Sequence, residues 1–157
     1  MSDSQLQTIG RAEYINFPEL ELSAVPARID TGAKTSAIWA TNIEEREGVL
    51  HCTLFGESSD HHTGTPVIFS SYGQRVVASS IGEPENRYLV KLLVEIGGRK
   101  IRASFTLANR ERQVYPVLVG RNVLRGKFIV DVQRGSALID QERERTAELH
   151  AQFNEES

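Results

Sequence analysis

Val25-Pro26-Ala27-Arg28-Ile29-Asp30-Thr31-Gly32-Ala33 is the stretch on which the reading of this chain turns. An apolar-leaning run ends in Asp-Thr-Gly, which sets a carboxylate on a tight loop at a strand end. Gly32 is expected to supply backbone freedom there, and the Thr31 hydroxyl to tie the loop down. The same triplet arises wherever an aspartate caps its own turn, so it does not decide alone. The second half of the signal lies downstream, in Val117-Leu118-Val119-Gly120-Arg121-Asn122-Val123-Leu124, a short apolar run entering Gly-Arg-Asn.

Outward from these two motifs, the chain reads as many short strands separated by turn signals, the pattern of a barrel or a sandwich. The predicted strands are Ile9–Phe17, Val25–Ile29, Ala37–Glu44, Val49–Phe55, Val67–Ser70, Arg75–Ser80, Tyr88–Ile96, Lys100–Leu107, Val117–Val119 and Phe128–Asp131. Gly97-Gly98 and Glu47-Gly48 are two-residue hairpin turns. Between Lys100 and Leu107, Ile101, Ala103, Phe105 and Leu107 alternate with Arg102, Ser104 and Thr106, one face buried and one wet. Asn122 to Arg125 fits one short helix ended by Gly126. Glu57 to Pro66 is polar and turn-rich, a loop. Gln141 to Phe153 has helix-forming composition but a poor apolar stripe, so it reads as a solvated helix.

A chain of 157 residues with a formal charge of −3 fits one domain. That charge gives no electrostatic case for nucleic acid or a membrane surface as partner. Basic residues concentrate between Arg87 and Arg134, whereas Asp140 to Ser157 is acid-rich. Residues 1–139 therefore form the expected folded domain and 140–157 a charged tail. The single cysteine, Cys52, excludes an internal disulfide and suits a reducing compartment. Met1-Ser2-Asp3-Ser4-Gln5 lacks the regions of a signal peptide, and no apolar run is long enough for a bilayer. The expected location is the cytoplasm.

Asp-Thr-Gly-Ala together with apolar-apolar-Gly-Arg-Asn resembles the retropepsin-like aspartic proteases. The stretch Ile29 to Ala37, Asn86-Arg87-Tyr88-Leu89-Val90, Leu107-Ala108-Asn109-Arg110, and Val119-Gly120-Arg121 followed by Phe128-Ile129-Val130-Asp131 narrow the likeness. They resemble a bacterial retropepsin-like family often labelled "ATP-dependent zinc protease". The resemblance implies a mostly β fold, the closed barrel of a single retropepsin-like lobe. It also implies that Gly120 lets its strand pack against the Asp30 loop and that Thr31 joins paired loops. The label finds no support in the residues: there is no His-Glu-x-x-His and no Gly-rich Lys-Ser/Thr loop. No cofactor is expected.

Aspartic-protease hydrolysis needs two carboxylates sharing one proton. Only one Asp-Thr-Gly is present; Asp60, Asp131 and Asp140 lack its context. The implied catalytic unit, Asp30 with Thr31 and Gly32, therefore requires a homodimer with its axis between two Asp30 loops. Viral relatives carry an acid where this chain has Lys34, and that acid pairs with the Arg of Gly-Arg-Asn. Lys34 and Arg121 either face water separately, Arg121 finding Asp131 or Glu111, or hold something anionic between them. Arg87, Arg110, Arg112 and Arg125 come from segments able to converge nearby, and arginine forks suit carboxylates. Family members are often encoded beside a ligase that adds glutamates to a ribosomal protein. The resemblance thus implies a glutamate-rich peptide tail as substrate.

Other constellations are weak. His51 and Cys52 are strand neighbours pointing to opposite faces, His61 and His62 lie in a loop, and none has metal-site spacing. No Gly-x-Ser-x-Gly elbow exists. Trp39 and Tyr88 read as core or cleft lining. Two further functions stay open: a non-catalytic binding module for acidic peptides on the same fold, and a metal-dependent hydrolase. The stretch from Ser70 to Gly82 carries only Gly73 and Gly82, fewer glycines than a viral-type flap.

Overall fold

The structure, a computed structural model, describes residues 5–78, 81–135 and 137–156, with side chains through residue 152. The strands are β1 (Gln7–Gly10), β2 (Ala12–Phe17), β3 (Leu22–Ile29), β4 (Ser36–Arg46), β5 (Val49–Leu54), β6 (Pro66–Phe69), β7 (Gly73–Ala78), β8 (Pro84–Ile96), β9 (Arg99–Ala108), β10 (Val117–Val119) and β11 (Phe128–Asp131). The helices are α1 (Arg121–Leu124) and α2 (Ile139–Glu156). The protein is mostly β, as expected. Its main sheet runs β10-β3-β2-β8-β9-β4-β5-β6, and β10 also pairs with β4, so six of these strands form a ring. Ser79 and Ser80, the end of the predicted strand Arg75–Ser80, lie outside the described residues.

Inside the ring the alternating apolar side chains meet. Ile15, Phe17, Val25, Ile38, Phe105, Val117 and Val119 are completely buried. Phe17 and Phe105 pack edge to face, their centroids 5.7 Å apart. Burying each such side chain contributes about 1.5–3 kcal/mol before entropy is counted. Both hairpins turn where expected: Gly97 and Gly98 have φ of 57° and 80°, and Glu47 and Gly48 have φ of 52° and 75°. Two positive φ values in succession match the turn to the strand twist.

Two expectations are corrected. Ile9–Phe17 is not one strand. β1 pairs with β11 in a separate parallel sheet, whereas β2 joins the ring. The chain changes partners at Arg11, whose N–H donates to the Arg134 carbonyl at 2.8 Å. A Cβ on Gly10 would lie 2.4 Å from the Arg134 backbone, so only glycine permits this crossing. Second, Thr106 is not on a wet face: it is buried beside Leu107 and Ala108. There β9 pairs with β8 and with β4, and Thr106 donates to the Ser36 carbonyl at 3.4 Å. Period two tells the faces apart but not whether the second face is covered.

The tail is helical, as its composition suggested, and mostly exposed. Its start is pinned: Glu142 accepts from Arg11 at 2.9 Å and lies 2.9 Å from the Tyr115 hydroxyl. Among the described residues no helix is long and apolar enough to cross a membrane.

Candidate active site

β3 delivers Asp30 because its hydrogen bonding continues one residue past the strand: the Asp30 N–H donates to Val119 at 2.9 Å. The carboxylate then accepts the Gly32 N–H at 2.9 Å, closing a tight turn. Asp30 thus caps its own turn, as any Asp in such a triplet can, while the fold carries that turn against Gly120. The Arg121 N–H donates to the Ala33 carbonyl at 2.8 Å, and the Gly120 N–H to the Ser36 hydroxyl at 2.9 Å. A Cβ on Gly120 would sit 2.8 Å from the Ala33 oxygen and 2.9 Å from the Thr35 carbonyl. The close approach expected of Gly120 is therefore real.

Gly32 differs from expectation. Its φ is outside the left-handed region, so it is not needed for backbone freedom; an added Cβ would instead crowd the Asp30 carboxylate at 3.3 Å. Thr31 is exposed, and among the described residues its hydroxyl has no hydrogen-bond partner. The tie within the chain is made by Ser36 and Asn122. The Ser36 hydroxyl donates to Asn122 Oδ1 at 2.8 Å, and Asn122 Nδ2 donates to the Ser104 carbonyl at 2.8 Å. Asn122 was visible in Gly-Arg-Asn, but nothing in the sequence marked Ser36 as its partner.

Asp30 opens onto a cleft of about 500 Å³. Arg28 lines it from β3 and Asp30 from just past that strand's end, Glu85 and Arg87 from the β7–β8 hairpin, and Arg110 from the turn after β9. Two predicted arginines, Arg87 and Arg110, therefore line the same cleft as Asp30. Lys34, Arg112, Arg121 and Arg125 are exposed and do not line this cleft. Arg121 pairs with neither Asp131 nor Glu111, and none of these four cations forms an ion pair among the described residues. Arg28 was missed, although strand periodicity puts residues 28 and 30 on one face. Arg75 was also missed; it faces Arg87 across the hairpin and donates to the Thr35 hydroxyl.

The charges are unequal in their company. Arg87 pairs with Glu85 at 3.0 Å. Arg110 is half-buried and donates Nε–H to the Tyr115 carbonyl at 2.9 Å. Burial, followed by the like charges of Arg87 and Arg28, pushes its pKa down to about 10, against the pull of Asp30. It remains a cation at neutral pH, and burial with its like-charged neighbours outweighs the attraction of Asp30. An anion in the cleft would relieve that imbalance.

A model of the RimB-like family, described as retropepsin-like aspartic endopeptidase, matches residues 8–141. The chain belongs to this family. Curated relatives include two proteins named "Probable alpha-L-glutamate ligase". One, from Shewanella pealeana, is 34% identical over 83% of the chain; the other, from Shewanella halifaxensis, is 35% identical over 83%. The chain spans only 29% of the length of each. A solved Legionella pneumophila protein of unknown function shares the fold, with a TM-score of 0.61 and 24% identity, over 83% of this chain and 96% of that one. Among the described residues no three His, Cys, Asp or Glu side chains are grouped to hold a metal ion. Cys52 is buried, its thiol pushed up to about 11 by burial, and His62 Nδ1 lies 3.2 Å from the Phe55 carbonyl.

Proposed function

We propose that this chain is one lobe of a homodimeric aspartic peptidase that hydrolyses acidic, glutamate-rich peptide tails. The single observation carrying the reading is the cleft in which Asp30 shares walls with Arg28, Arg87 and Arg110. In this reading the ring of strands is the closed barrel of a single retropepsin-like lobe, residues 1–139, and 140–157 is a helical appendage. The protein acts in the cytoplasm.

Two Asp30 carboxylates meet across the dimer axis. One, ionised, takes a proton from water as that water attacks the scissile carbonyl. The other, protonated, donates a hydrogen bond to the carbonyl oxygen as it gains negative charge. The proton is then delivered to the departing amine. The exposed, unbonded Thr31 hydroxyl is free to bond across to the second loop. The arginines hold substrate carboxylates beside the dyad, and Arg110 gains most because it is half-buried and has no ion pair among the described residues. Kinship with proteins named for joining L-glutamate supports the acidic substrate.

The test is incubation of the wild-type chain and Asp30→Asn with oligoglutamate and with neutral peptides. Cleavage of oligoglutamate by the wild type alone is the expected result. Equal cleavage of neutral peptides removes the acidic preference, and activity in Asp30→Asn removes the dyad. A second reading, an acidic-peptide binding module without hydrolysis, draws on the fact that one chain alone presents the arginine cleft complete. Tight binding with no cleavage at any protein concentration selects it.

A further inference from the structure

The turn between β9 and β10 separates cavities of opposite charge. Arg110 faces the Asp30 cleft, whereas the next residue, Glu111, lines two cavities elsewhere. The larger of these, about 760 Å³, lies between β4 and the segment after β5, and its charged lining is Glu57 and Glu111 alone. It adjoins the arginine cleft at Asn109, which lines both. The smaller, about 400 Å³, adds Asp60 and the His61 ring. Neither is lined by a lysine or an arginine.

Trp39 lines both acidic cavities. It is only 6% exposed, and its ring lies so close to Gly56 that a Cβ there would be 2.3 Å from Cζ2. Its Nε1 is buried without a hydrogen-bond partner, and no other side-chain polar atom among the described residues shares that condition. A buried donor left unmade is a cost that a ligand's acceptor can recover.

We propose that these acidic cavities form a subsite for a cationic stretch of the polypeptide whose acidic run occupies the arginine cleft. A lysine or arginine side chain pairs with Glu57 and Glu111, and a backbone carbonyl accepts from Trp39 Nε1. The inference rests on the peptide-substrate reading of the Asp30 cleft and adds charge polarity to it. Because the larger acidic cavity and the arginine cleft share Asn109, a few extended residues at about 3.3 Å each bridge them. The preferred ligand is thus a junction, an acidic tail leaving a basic segment, rather than a free acidic run.

Trp39 is the single tryptophan of these 157 residues, so its emission reports on this subsite. Asp30→Asn, used so that ligand is not consumed, is titrated with oligoglutamate and with oligoglutamate joined to a short lysine run in either order. At least one joined peptide should bind about five- to tenfold more tightly and shift Trp39 emission, which oligoglutamate alone should not do. Adding Glu57→Gln with Glu111→Gln should erase that advantage and leave oligoglutamate binding unchanged. Trp39→Phe, followed by calorimetry, should lose about threefold or more for the joined peptide only. Equal binding of all peptides, or an advantage that survives the double Gln variant, overturns the subsite while the arginine cleft stands. An advantage that behaves as expected, with no cleavage of any peptide by the wild type, supports the subsite and sinks the peptidase reading. Failure of every peptide to bind overturns the subsite outright.

Discussion

Arg28 and Asp30 stand on one face at the end of β3 and open onto the same cleft. One strand end therefore supplies both a carboxylate suited to hydrolysis and a cation suited to an acidic substrate. Arg110 approaches from the turn after β9, half-buried, its pKa lowered to about 10 by that burial first and then by Arg87 and Arg28. The cleft holds more positive charge than its own acids balance, which shapes the expectations below.

Arg110→Ala should weaken oligoglutamate binding by about 1.5–3 kcal/mol, since its contact is sheltered. Arg28→Ala, at an exposed residue, should cost only about 0.2–1 kcal/mol. Calorimetry at rising salt checks the order: the Arg28 contribution should fade first. Loss of neither on mutation would remove the cleft from substrate binding.

Gly120→Ala should destabilise the fold by about 1–3 kcal/mol, because its methyl group meets the Ala33 and Thr35 carbonyls, backbone atoms that cannot swing aside. Urea unfolding measures this. Activity should fall with it, since the same carbonyls belong to the Asp30 loop. An unchanged midpoint would mean the loop and β10 are not packed so closely.

Asp30→Asn should keep the melting temperature within a degree or two of wild type, because an amide oxygen can still accept the Gly32 N–H. Hydrolysis should nevertheless vanish. Wild-type activity should also drop faster than linearly on dilution below the dimer dissociation constant, measured beside sedimentation. A monomer with undiminished specific activity would end the shared-dyad mechanism.

Stability should decline between about pH 10 and pH 12. Burial, then the bond to Glu142, raises the Tyr115 pKa to about 12 from 10.0. The folded state keeps a proton that the unfolded chain has lost, so the contribution is whole below pH 10 and disappears as pH climbs through the folded value. Tyr72, also raised to about 12 through Glu45, titrates in the same window. Tyr115→Phe should therefore flatten the melting-temperature profile there without levelling it; an unaltered slope would show that Tyr115 ionises as freely folded as unfolded.

The residues themselves determined the parts governed by local rules. Strand alternation, the glycine-containing hairpin turns, the stop at Gly126 and the meeting of Asp30 with Gly120 were all legible, because each depends on neighbours in sequence or on a recognisable pair of motifs. Only the tertiary structure decided what lies across the chain from what. It brought Arg87 and Arg110 to the cleft that Asp30 lines, left Lys34, Arg112, Arg121 and Arg125 in solvent, and added Arg28. It also broke β1 from β2 at the crossing of Gly10 over Arg134 and covered the second face of β9 over Thr106. A side chain's charge is written in its residue type. Which opposite strand, turn or cavity receives it follows from the closure of the ring, a long-range packing solution that no stretch of sequence carries by itself.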